Sequence, residues 1–382
     1  MERDPSLIGP HYSLQYVIVS HEPGGWNFSE NTSLSECLLV AKRLQQNEET
    51  SSPTKFVNLW QKPKTSIEAL TVAELIKNAT GVFLETDKGI DELRTDSKKF
   101  GEVILCPPEH IQAAKWEAEV AFAQTDLCRT AYFLARGKTY IPGKGKVGNI
   151  PLISLTELGV IGPDRRDIHD GFRISNGSTS YPAFWGHETE SVQKMEQEPN
   201  KYLSALARAH RGRHLRDPHL LWSRAGSLLI AERLRLNTVR VVSIRIAQKV
   251  LSNTWWPFSV SDNLPIPSEN VERILVLWLN STFGIISLIA ARVDTEGAWV
   301  ELKKPILQQL YVLNPMALTK GQRGILIDAY DKLSDRELSQ LPRIDNDETR
   351  YQIDKAICRS LGIKDDVSVL RRMLSKEPIL RS

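Results

Sequence analysis

The 382-residue sequence lacks an apolar run of about 18 residues, the length that a membrane helix needs. Its first residues, Met1 to Ser6, also lack the basic and then apolar pattern of a secretory signal. These absences argue against a membrane partner and predict a cytoplasmic protein. The four cysteines, Cys37, Cys106, Cys128 and Cys358, show no CxxC spacing. That scarcity fits a reducing compartment and predicts packing roles, with no metal site and no disulfide framework.

Net charge is also small, at +3, and does not by itself indicate a nucleic-acid partner. Its distribution is more informative. Between Lys201 and Lys249 there are eleven Lys or Arg and two acids, a local charge of +9 before three histidines are considered. Arginine supplies phosphate contacts and reads guanine edges, so the segment predicts DNA binding, with a solvated positive face as the alternative. The candidate DNA-binding residues here are Arg208, Arg211, Arg213, Arg216, Arg233, Arg235 and Arg240.

Two short apolar runs, Leu14 to Ser20 and Ser35 to Lys42, predict a pair of buried strands joined by a loop rich in Gly, Asn, Ser and Pro. A third strand is expected at Phe56 to Trp60. Helical spacing follows from Ser66, with Ser66 or Thr65 as the N-cap.

Further along, Val103 to Cys106 predicts a strand and Ile111 to Ala123 a helix. Glycine and proline then cluster at residues 137 to 149, where a new domain is expected to begin.

From Ile150 to Pro315 the pattern predicts a β-rich α+β domain, with helices at Val271 to Leu279 and Ser281 to Ala291. Beyond Thr319 the sequence is charged and amphipathic and predicts a helical tail. Its expected helices are Gln322 to Leu333, Asp335 to Leu341, Asp347 to Leu361 and Val367 to Leu374, and Gly362 is the expected stop of the third.

Two motifs are discounted. Gly143, Gly145 and Gly148 fit GxGxxG, but Asn149-Ile150-Pro151 follows, whereas a dinucleotide fingerprint must open a helix. Asp294, Glu301 and Lys303 offer the acids and lysine of a metal-dependent nuclease, although a solvated strand edge is the stronger interpretation.

The run Asp164 to Asp170 places acids beside His169, close enough for acid–base or metal chemistry. Flanking glycine and proline favour an exposed loop instead. Its arginines, Arg165 and Arg166, are then candidates for phosphate contacts.

The residues Trp26-Asn27-Phe28-Ser29-Glu30-Asn31-Thr32, with the apolar run that follows, resemble the last hairpin of the catalytic domain in adenine-specific N6 DNA methyltransferases of restriction-modification and phage-defence systems. In that family an aromatic residue of this loop packs against the flipped adenine. The resemblance implies that role for Phe28, with Trp26 as second candidate. Stacking on an aromatic face suits a base taken out of the duplex. The alternative is that Phe28 only anchors the loop.

Later segments are similar, in their order, to the target-recognition domains that follow this catalytic fold. They are residues 150 to 172, Leu229 to Thr238 and Trp278 to Gly284. The resemblance implies an α/β and α+β multidomain fold. Its parts are the end of a Rossmann-like methyltransferase sheet at 1–62, a bridging α/β segment at 63–149, a DNA target-recognition domain at 150–315 and a helical tail at 316–382.

The sequence departs from that family in lacking the FxGxG turn for S-adenosylmethionine and the NPPF or DPPY tetrapeptide. The expectation is therefore a DNA-recognition half with no cofactor site of its own. A partner methyltransferase subunit carrying FxGxG and NPPF is expected to supply S-adenosylmethionine, and double-stranded DNA is the expected substrate. The alternatives are a non-catalytic specificity or scaffold subunit serving a helicase or nuclease, and a nuclease using Asp294, Glu301 and Lys303.

Overall fold

The computed structural model describes residues 11–22, 37–45, 52–86, 88–113, 115–186, 189–294 and 299–381. The chain forms two compact units. Unit 1 comprises Met1–Gly148, Ile289–Ala298 and Val367–Ser382, and unit 2 comprises Asn149–Leu288 and Trp299–Asp366. The fold is a mixed α/β and α+β arrangement of several sheets.

Unit 1 is built on a six-stranded sheet with the order β2-β1-β3-β6-β4, in which β5 also pairs with β6. Its strands are β1 (Tyr12–Ser20), β2 (Cys37–Arg43), β3 (Thr54–Leu59), β4 (Val82–Phe83), β5 (Glu92–Arg94) and β6 (Lys99–Cys106). The first two strands pair antiparallel, whereas β1 and β3 are parallel. The three strands expected in residues 14 to 60 are thereby confirmed. The expected burial of β2 is wrong, because all seven of its residues are exposed.

Helices cover part of this sheet. Helix α1 (Ser66–Asn78) begins as expected, since the Thr65 side chain accepts a hydrogen bond from the Glu68 amide. Its Val72 and Ile76 pack on Val57 and Val103 of the sheet. The other elements of unit 1 are α2 (Pro108–Gln112), α3 (Thr125–Leu134), the hairpin of β7 (Lys138–Ile141) and β8 (Gly145–Asn149), β19 (Val293–Asp294) and α12 (Ser368–Leu374).

The helix expected over Ile111 to Ala123 is wrong. Helix α2 ends at Gln112, and only a single 3-10 turn follows at Ala118–Val120. Tertiary contacts explain the difference. Trp116 packs on Phe56, with ring centroids 5.4 Å apart. The Asn58 side chain donates to the Glu119 carbonyl, which fixes the segment against the sheet.

Unit 2 contains an eight-stranded sheet with the order β10-β18-β15-β17-β12-β14-β11, and β13 pairs with β17 outside this path. Its strands are β10 (Gly159–Ile161), β11 (Phe172–Ser175), β12 (Pro182–Phe184), β13 (Glu196–Gln197), β14 (Lys201–Ala205), β15 (Gly226–Ala231), β17 (Ser243–Ser252) and β18 (Trp255–Val260). Two further antiparallel pairs are β9 (Leu152–Ser154) with β21 (Tyr311–Leu313), and β16 (Arg233–Arg235) with β20 (Trp299–Glu301). The β-rich character expected after Ile150 is confirmed.

The remaining helices are α4 (Leu155–Leu158), α5 (Arg165–Gly171), α6 (Pro218–Trp222), α7 (Ser268–Asn280), α8 (Thr282–Ala290), α9 (Lys304–Gln308), α10 (Lys320–Leu333) and α11 (Glu348–Leu361). Helices α10 and α11 pack on each other and on α7. The buried Arg350 donates to the carbonyls of Asn280 and Arg240 at 3.0 and 2.7 Å, which ties α11 to the rest of unit 2.

The predicted tail is helical, but it does not form a unit of its own. Residues 320–366 lie in unit 2, and 367–382 lie in unit 1. Gly362 ends α11 with a positive φ of 71°, as expected. The helix expected over Asp335 to Leu341 is wrong, because α10 ends at Leu333 and a 3-10 segment begins at Leu341.

Within the described ranges no single helix is long and apolar enough to cross a membrane. Helices α7 and α8 meet the length and composition criteria only as a pair, with a bend of 74° between them.

Candidate nucleic-acid interface

The run Asp164 to Asp170 forms a helix, so the loop expected there is wrong. The Asp164 side chain caps α5 by accepting hydrogen bonds from the amides of Arg166 and Asp167. The apolar side chain of Ile168 is buried and anchors the helix in a core that includes Leu203 and Leu221. Arg165 and Arg166 are exposed. The helix therefore directs its apolar residue inward and presents two arginines to solvent.

The basic loop, residues 206–217, contacts this helix. Its two ends are fixed by backbone hydrogen bonds: the Leu206 amide donates to the Gly171 carbonyl at 2.9 Å, and the Arg216 amide donates to the Asp170 carbonyl at 3.1 Å. Between them, His210 Nε2 lies 3.2 Å from the His169 carbonyl oxygen. Two segments that are about 40 residues apart in the sequence therefore meet on one surface of unit 2.

Close packing at Gly171 helps to bring the loop and helix together. A Cβ atom at this position would lie only 2.4 Å from Leu221 Cδ1 and 3.4 Å from the Arg216 carbonyl oxygen, so a larger residue would require the Leu221 side chain to shift. Helix α6 follows the basic loop directly, and its N-cap is the Asp217 side chain, which accepts from the His219 amide.

Two acidic side chains of α5 pair with two arginines of the loop. Arg213 Nε lies 2.8 Å from Asp170 Oδ1, and an Arg216 terminal nitrogen lies 2.9 Å from Asp167 Oδ1. Asp170 Oδ1 accepts no hydrogen bond of good geometry. Its contact with Arg213 is therefore an ion pair in which the N–H is not well aligned with the oxygen. Both arginines remain about half exposed. These pairs orient the loop and neutralise part of its charge.

The other arginines of this surface have no ion pair within the described residues. Arg208 and Arg211 are exposed on the loop, and Arg165 and Arg166 are exposed on α5. We call the surface formed by α5 and residues 206–217 the basic surface. Arg165 Nε donates to His169 Nε2 at 3.5 Å, which leaves its terminal nitrogens for other contacts. Exposed guanidinium groups without an ion pair are suited to bind phosphate oxygens.

Electrostatics inside the basic surface keep His169 neutral. Burial lowers its pKa, the guanidinium groups of Arg165 and Arg213 lower it further, and Asp170 opposes them. The ring packs edge to face on Trp185, with centroids 5.3 Å apart. His169 therefore has the character of a packing and positioning residue at neutral pH, and the acid–base role considered for it has no support in this geometry.

A second group of predicted residues lies on β16. Arg233 and Arg235 are exposed on either side of the buried Leu234. The Arg233 guanidinium lies 4.6 Å from the Trp299 ring centre, a cation–π distance. Nearby, the pKa of Glu232 is raised by burial and by Asp164 and Glu301, and Arg165 opposes the rise. Arg165 of the basic surface therefore lies near β16.

Two basic residues of the segment from Lys201 to Lys249 are half-buried or buried and make contacts inside unit 2. Arg240 is half-buried and donates to the Leu338 carbonyl. Arg245 is buried and pairs with Glu196, Glu269 and Glu272 at 3.0 to 3.1 Å. The positive count of the segment therefore overstates its charged surface. The DNA-binding role expected for Arg240 stays a prediction, and its contacts suit a structural role.

Phe28 and Trp26, the residues expected to stack on adenine, lie outside the described residues. The discounted nuclease trio is described only in part: Lys303 Nζ lies 4.0 Å from Glu301 Oε2, and the side chain of Asp294 is outside the described set. Gly143 lies in the short turn between β7 and β8, and Gly145 and Gly148 belong to β8, so the GxGxxG match opens no helix and provides no phosphate-binding helix N-terminus.

A cluster of possible metal ligands, which the spacing of the cysteines does not indicate, lies in unit 1. Ligand atoms of Cys106, His110 and Glu119 lie within 4.8 Å of one another. The only local signal in the sequence is the Cys-x3-His spacing that begins at the end of β6.

No family model matches this sequence, and no curated protein matches it. Among solved structures, the chain is similar to the type IIG restriction endonuclease BpuSI, with 11% identity and a TM-score of 0.39, over 99% of this chain and 44% of that one. It is also similar to an HsdS subunit from Thermoanaerobacter tengcongensis, with 13% identity and a TM-score of 0.24, over 98% of this chain and 90% of that one. The chain spans less than half the length of BpuSI, and TM-scores below 0.5 do not establish a common fold.

Proposed function

We propose that this chain is the DNA-recognition half of a split adenine-N6 DNA methyltransferase of a restriction-modification or phage-defence system, acting in the cytoplasm on double-stranded DNA. The observation that carries the proposal is the basic surface. Arg165 and Arg166 of α5 and Arg208 and Arg211 of the loop are exposed together, and the ion pairs of Arg213 and Arg216 hold the loop on the helix.

In this proposal the exposed guanidinium groups bind phosphates and set the register of the protein on the duplex. Arg213 and Arg216 act as positioning residues, because their ion pairs fix the loop while leaving part of each side chain in solvent. Arg233 and Arg235 extend the positive surface along β16. Trp185 contributes a half-buried aromatic ring beside His169.

We propose that this chain does not itself bind S-adenosylmethionine. The sequence has no FxGxG or NPPF motif, and Gly145 and Gly148 of the glycine-rich segment belong to strand β8. We propose that a partner methyltransferase subunit with both motifs supplies the cofactor and the catalytic groups. Strand β2 is the proposed contact for that subunit. It lies at the end of the described strand order and exposes Leu38, Leu39 and Val40. An exposed apolar edge strand favours pairing with another chain.

The test of DNA binding is a titration of a labelled duplex followed by fluorescence anisotropy at several salt concentrations. Binding should weaken steeply with salt, because phosphate neutralisation releases counterions. The double variant Arg208→Ala/Arg211→Ala should reduce the slope of log affinity against log salt by about 2. Lys320→Ala/Lys332→Ala is the charge-matched control, since both lysines are exposed on α10 of unit 2.

Salt-independent binding, or no binding to any duplex, would overturn the proposal. An equal loss in the control variant would show that only total charge matters and that the basic surface has no special role.

The partner is tested separately by co-purification from the native cells. Recovery of a subunit carrying FxGxG and NPPF supports the methyltransferase. Recovery of a helicase or nuclease without those motifs would support the non-catalytic scaffold instead.

A further inference from the structure

A thiol, an imidazole and a carboxylate meet at one end of the unit 1 sheet. Cys106 is the last residue of β6, His110 lies on α2, and Glu119 belongs to the 3-10 turn at Ala118–Val120. One ligand atom from each lies within 4.8 Å of the others. Pro107 and Pro108 restrict the chain between the first two residues, so the spacing is set by a stiff connection. The hydrogen bond from Asn58 to the Glu119 carbonyl holds the third residue.

Two buried atoms of this cluster lack hydrogen-bond partners. They are His110 Nδ1 and Glu119 Oε2. The Glu119 side chain is 2% exposed, and the other carboxylate oxygen is 3.9 Å from His110 Nδ1, too far for a hydrogen bond. Buried polar groups are nearly always satisfied, because an unpaired one has lost its hydration without gaining a hydrogen bond. One cation bound between these two atoms would satisfy both.

We propose that Cys106, His110 and Glu119 bind a divalent transition-metal ion, for which zinc has the best-matched preferences. Zinc accepts thiolate, imidazole nitrogen and carboxylate oxygen at about 2.0–2.3 Å in tetrahedral geometry, which places neighbouring ligand atoms about 3.3–3.7 Å apart. The 3.9 Å between His110 Nδ1 and Glu119 Oε1 is close to that range. All three ligand atoms lie within 4.8 Å of one another, so the side chains have to move closer together to complete three positions, and water can occupy the fourth.

The surroundings of His110 suit a metal ligand. When Nδ1 faces the metal, Nε2 faces the Oε1 atom of Glu85 at 3.9 Å. Metal-binding histidines commonly donate their second ring N–H to a carboxylate, which fixes the tautomer. Glu85 is itself held by a 2.7 Å hydrogen bond from the Tyr132 hydroxyl. Glu85 also lines an open cleft of about 380 Å³, together with Pro107 and Pro108, which lie between Cys106 and His110 in the chain.

The site is independent of the proposed DNA function, and it is tested on the purified full chain with Co²⁺ as probe. After treatment with a chelator, titration should give one Co²⁺ per chain and the near-ultraviolet absorption of a cobalt–thiolate bond. Zn²⁺ should displace the cobalt and raise the unfolding temperature.

Cys106→Ala should abolish the thiolate band, and Glu119→Gln should weaken Co²⁺ binding by at least tenfold. Cys128→Ala is the matched control, because Cys128 is buried in the same unit but lies outside the cluster. Circular dichroism of each variant verifies that it is folded. The proposal is overturned if the folded native chain binds no Co²⁺, if binding gives no thiolate band, or if Cys106→Ala binds as the native chain does.

Discussion

Arg213 of the basic loop lies with its Nε 2.8 Å from Asp170 Oδ1 of helix α5, and this ion pair joins two segments that are far apart in sequence. The aspartate side chain is 9% exposed, whereas the arginine side chain is 45% exposed. The nearly buried acid of the helix therefore fixes the position of the arginine, and the arginine keeps part of its side chain in solvent.

Asp170→Asn should loosen the basic loop. The substitution keeps the size of the side chain but removes its charge, so we expect a loss of about 1 kcal/mol of unfolding free energy, the scale of a solvent-accessible ion pair. Trypsin should then cut faster after Arg208, Arg211 or Arg213. Limited proteolysis with mass spectrometry measures this, and Asp335→Asn is the control because Asp335 is 89% exposed and 4.0 Å from Lys194. Equal cleavage in both variants would contradict a holding role for Asp170.

Alanine substitutions of Arg240 and Arg235 should have opposite effects on stability and on the salt dependence of DNA binding. Arg240 is half-buried and donates to the Leu338 carbonyl, whereas Arg235 is exposed on β16. Arg240→Ala should lower the unfolding free energy by about 1 kcal/mol and leave the salt slope of DNA binding unchanged. Arg235→Ala should leave stability within about 0.5 kcal/mol and reduce that slope by about 1. Denaturant unfolding and fluorescence anisotropy, measured on the same samples, compare the two variants. A reduced salt slope in Arg240→Ala would indicate that Arg240 does contact DNA.

Local patterns in the sequence were sufficient to predict some helices and strands. Helix α1 has an apolar face and a capping Thr65, and both are visible as spacing and residue type. Helix α3 was not predicted from the sequence. Nine of its ten residues are buried, including the polar Thr125, Arg129 and Thr130, so burial there does not follow residue type. The segment Ile111 to Ala123 has helical spacing but is held in another shape by Phe56 and Asn58 of the sheet.

Long-range proximity could not be predicted from one sequence. Arg165, Arg166, Arg208 and Arg211 were chosen as basic residues, but their placement on one surface depends on the packing of Ile168 and Leu221 in a shared core. The same limit applies to Glu119, whose carboxylate reaches Cys106 and His110 only because Asn58 fixes the segment. Arg245, by contrast, looks like its neighbours in the sequence and is buried among three glutamates.

Leu39→Lys should block the proposed contact with the partner subunit. Leu39 is 40% exposed on β2, between Leu38 and Val40, and a charge on an edge strand opposes pairing with another chain. We expect less self-association by light scattering and weaker capture of the methyltransferase subunit. Stability should change by no more than about 0.5 kcal/mol, as for other exposed positions. Ile67→Lys is the control, because Ile67 is a 78% exposed apolar residue on α1, away from the edge. Equal effects of the two lysines would exclude a specific contact at β2.

Phe28→Ala should reduce methyl transfer in the reconstituted enzyme. Stacking of a base on an aromatic ring contributes about 1–3 kcal/mol, so turnover on an adenine target should fall by about 5- to 150-fold. Trp26→Ala is the comparison and should have the smaller effect, since Trp26 is the second candidate. DNA affinity and its salt slope should be unchanged in both variants. Normal turnover in Phe28→Ala would remove the stacking role and leave only an anchoring one.

The raised pKa of Glu377 should lower the free energy of unfolding as the pH rises from about 4.5 to 7. Its carboxyl group is fully buried and accepts hydrogen bonds from the amides of Ala123 and Gln124, each at 3.1 Å. Burial raises its pKa from 4.5 to about 7, against the effect of those hydrogen bonds. Between these values the unfolded chain ionises while the folded one keeps its proton. Unfolding free energy therefore falls with pH, by at most about 3 kcal/mol from this group.

Glu377→Gln should flatten that part of the pH profile, because the amide does not ionise. Absolute stability should decrease by about 1 kcal/mol, since the amide nitrogen cannot accept the hydrogen bond from Ala123. Burial also raises the pKa of Glu119 to about 7, so a residual slope should remain in the metal-free protein. Denaturant unfolding between pH 4.5 and 8 measures both curves. If the two curves run parallel, Glu377 is ionised in the folded protein throughout this range, and the hydrogen bonds to its carboxylate outweigh the cost of burying the charge.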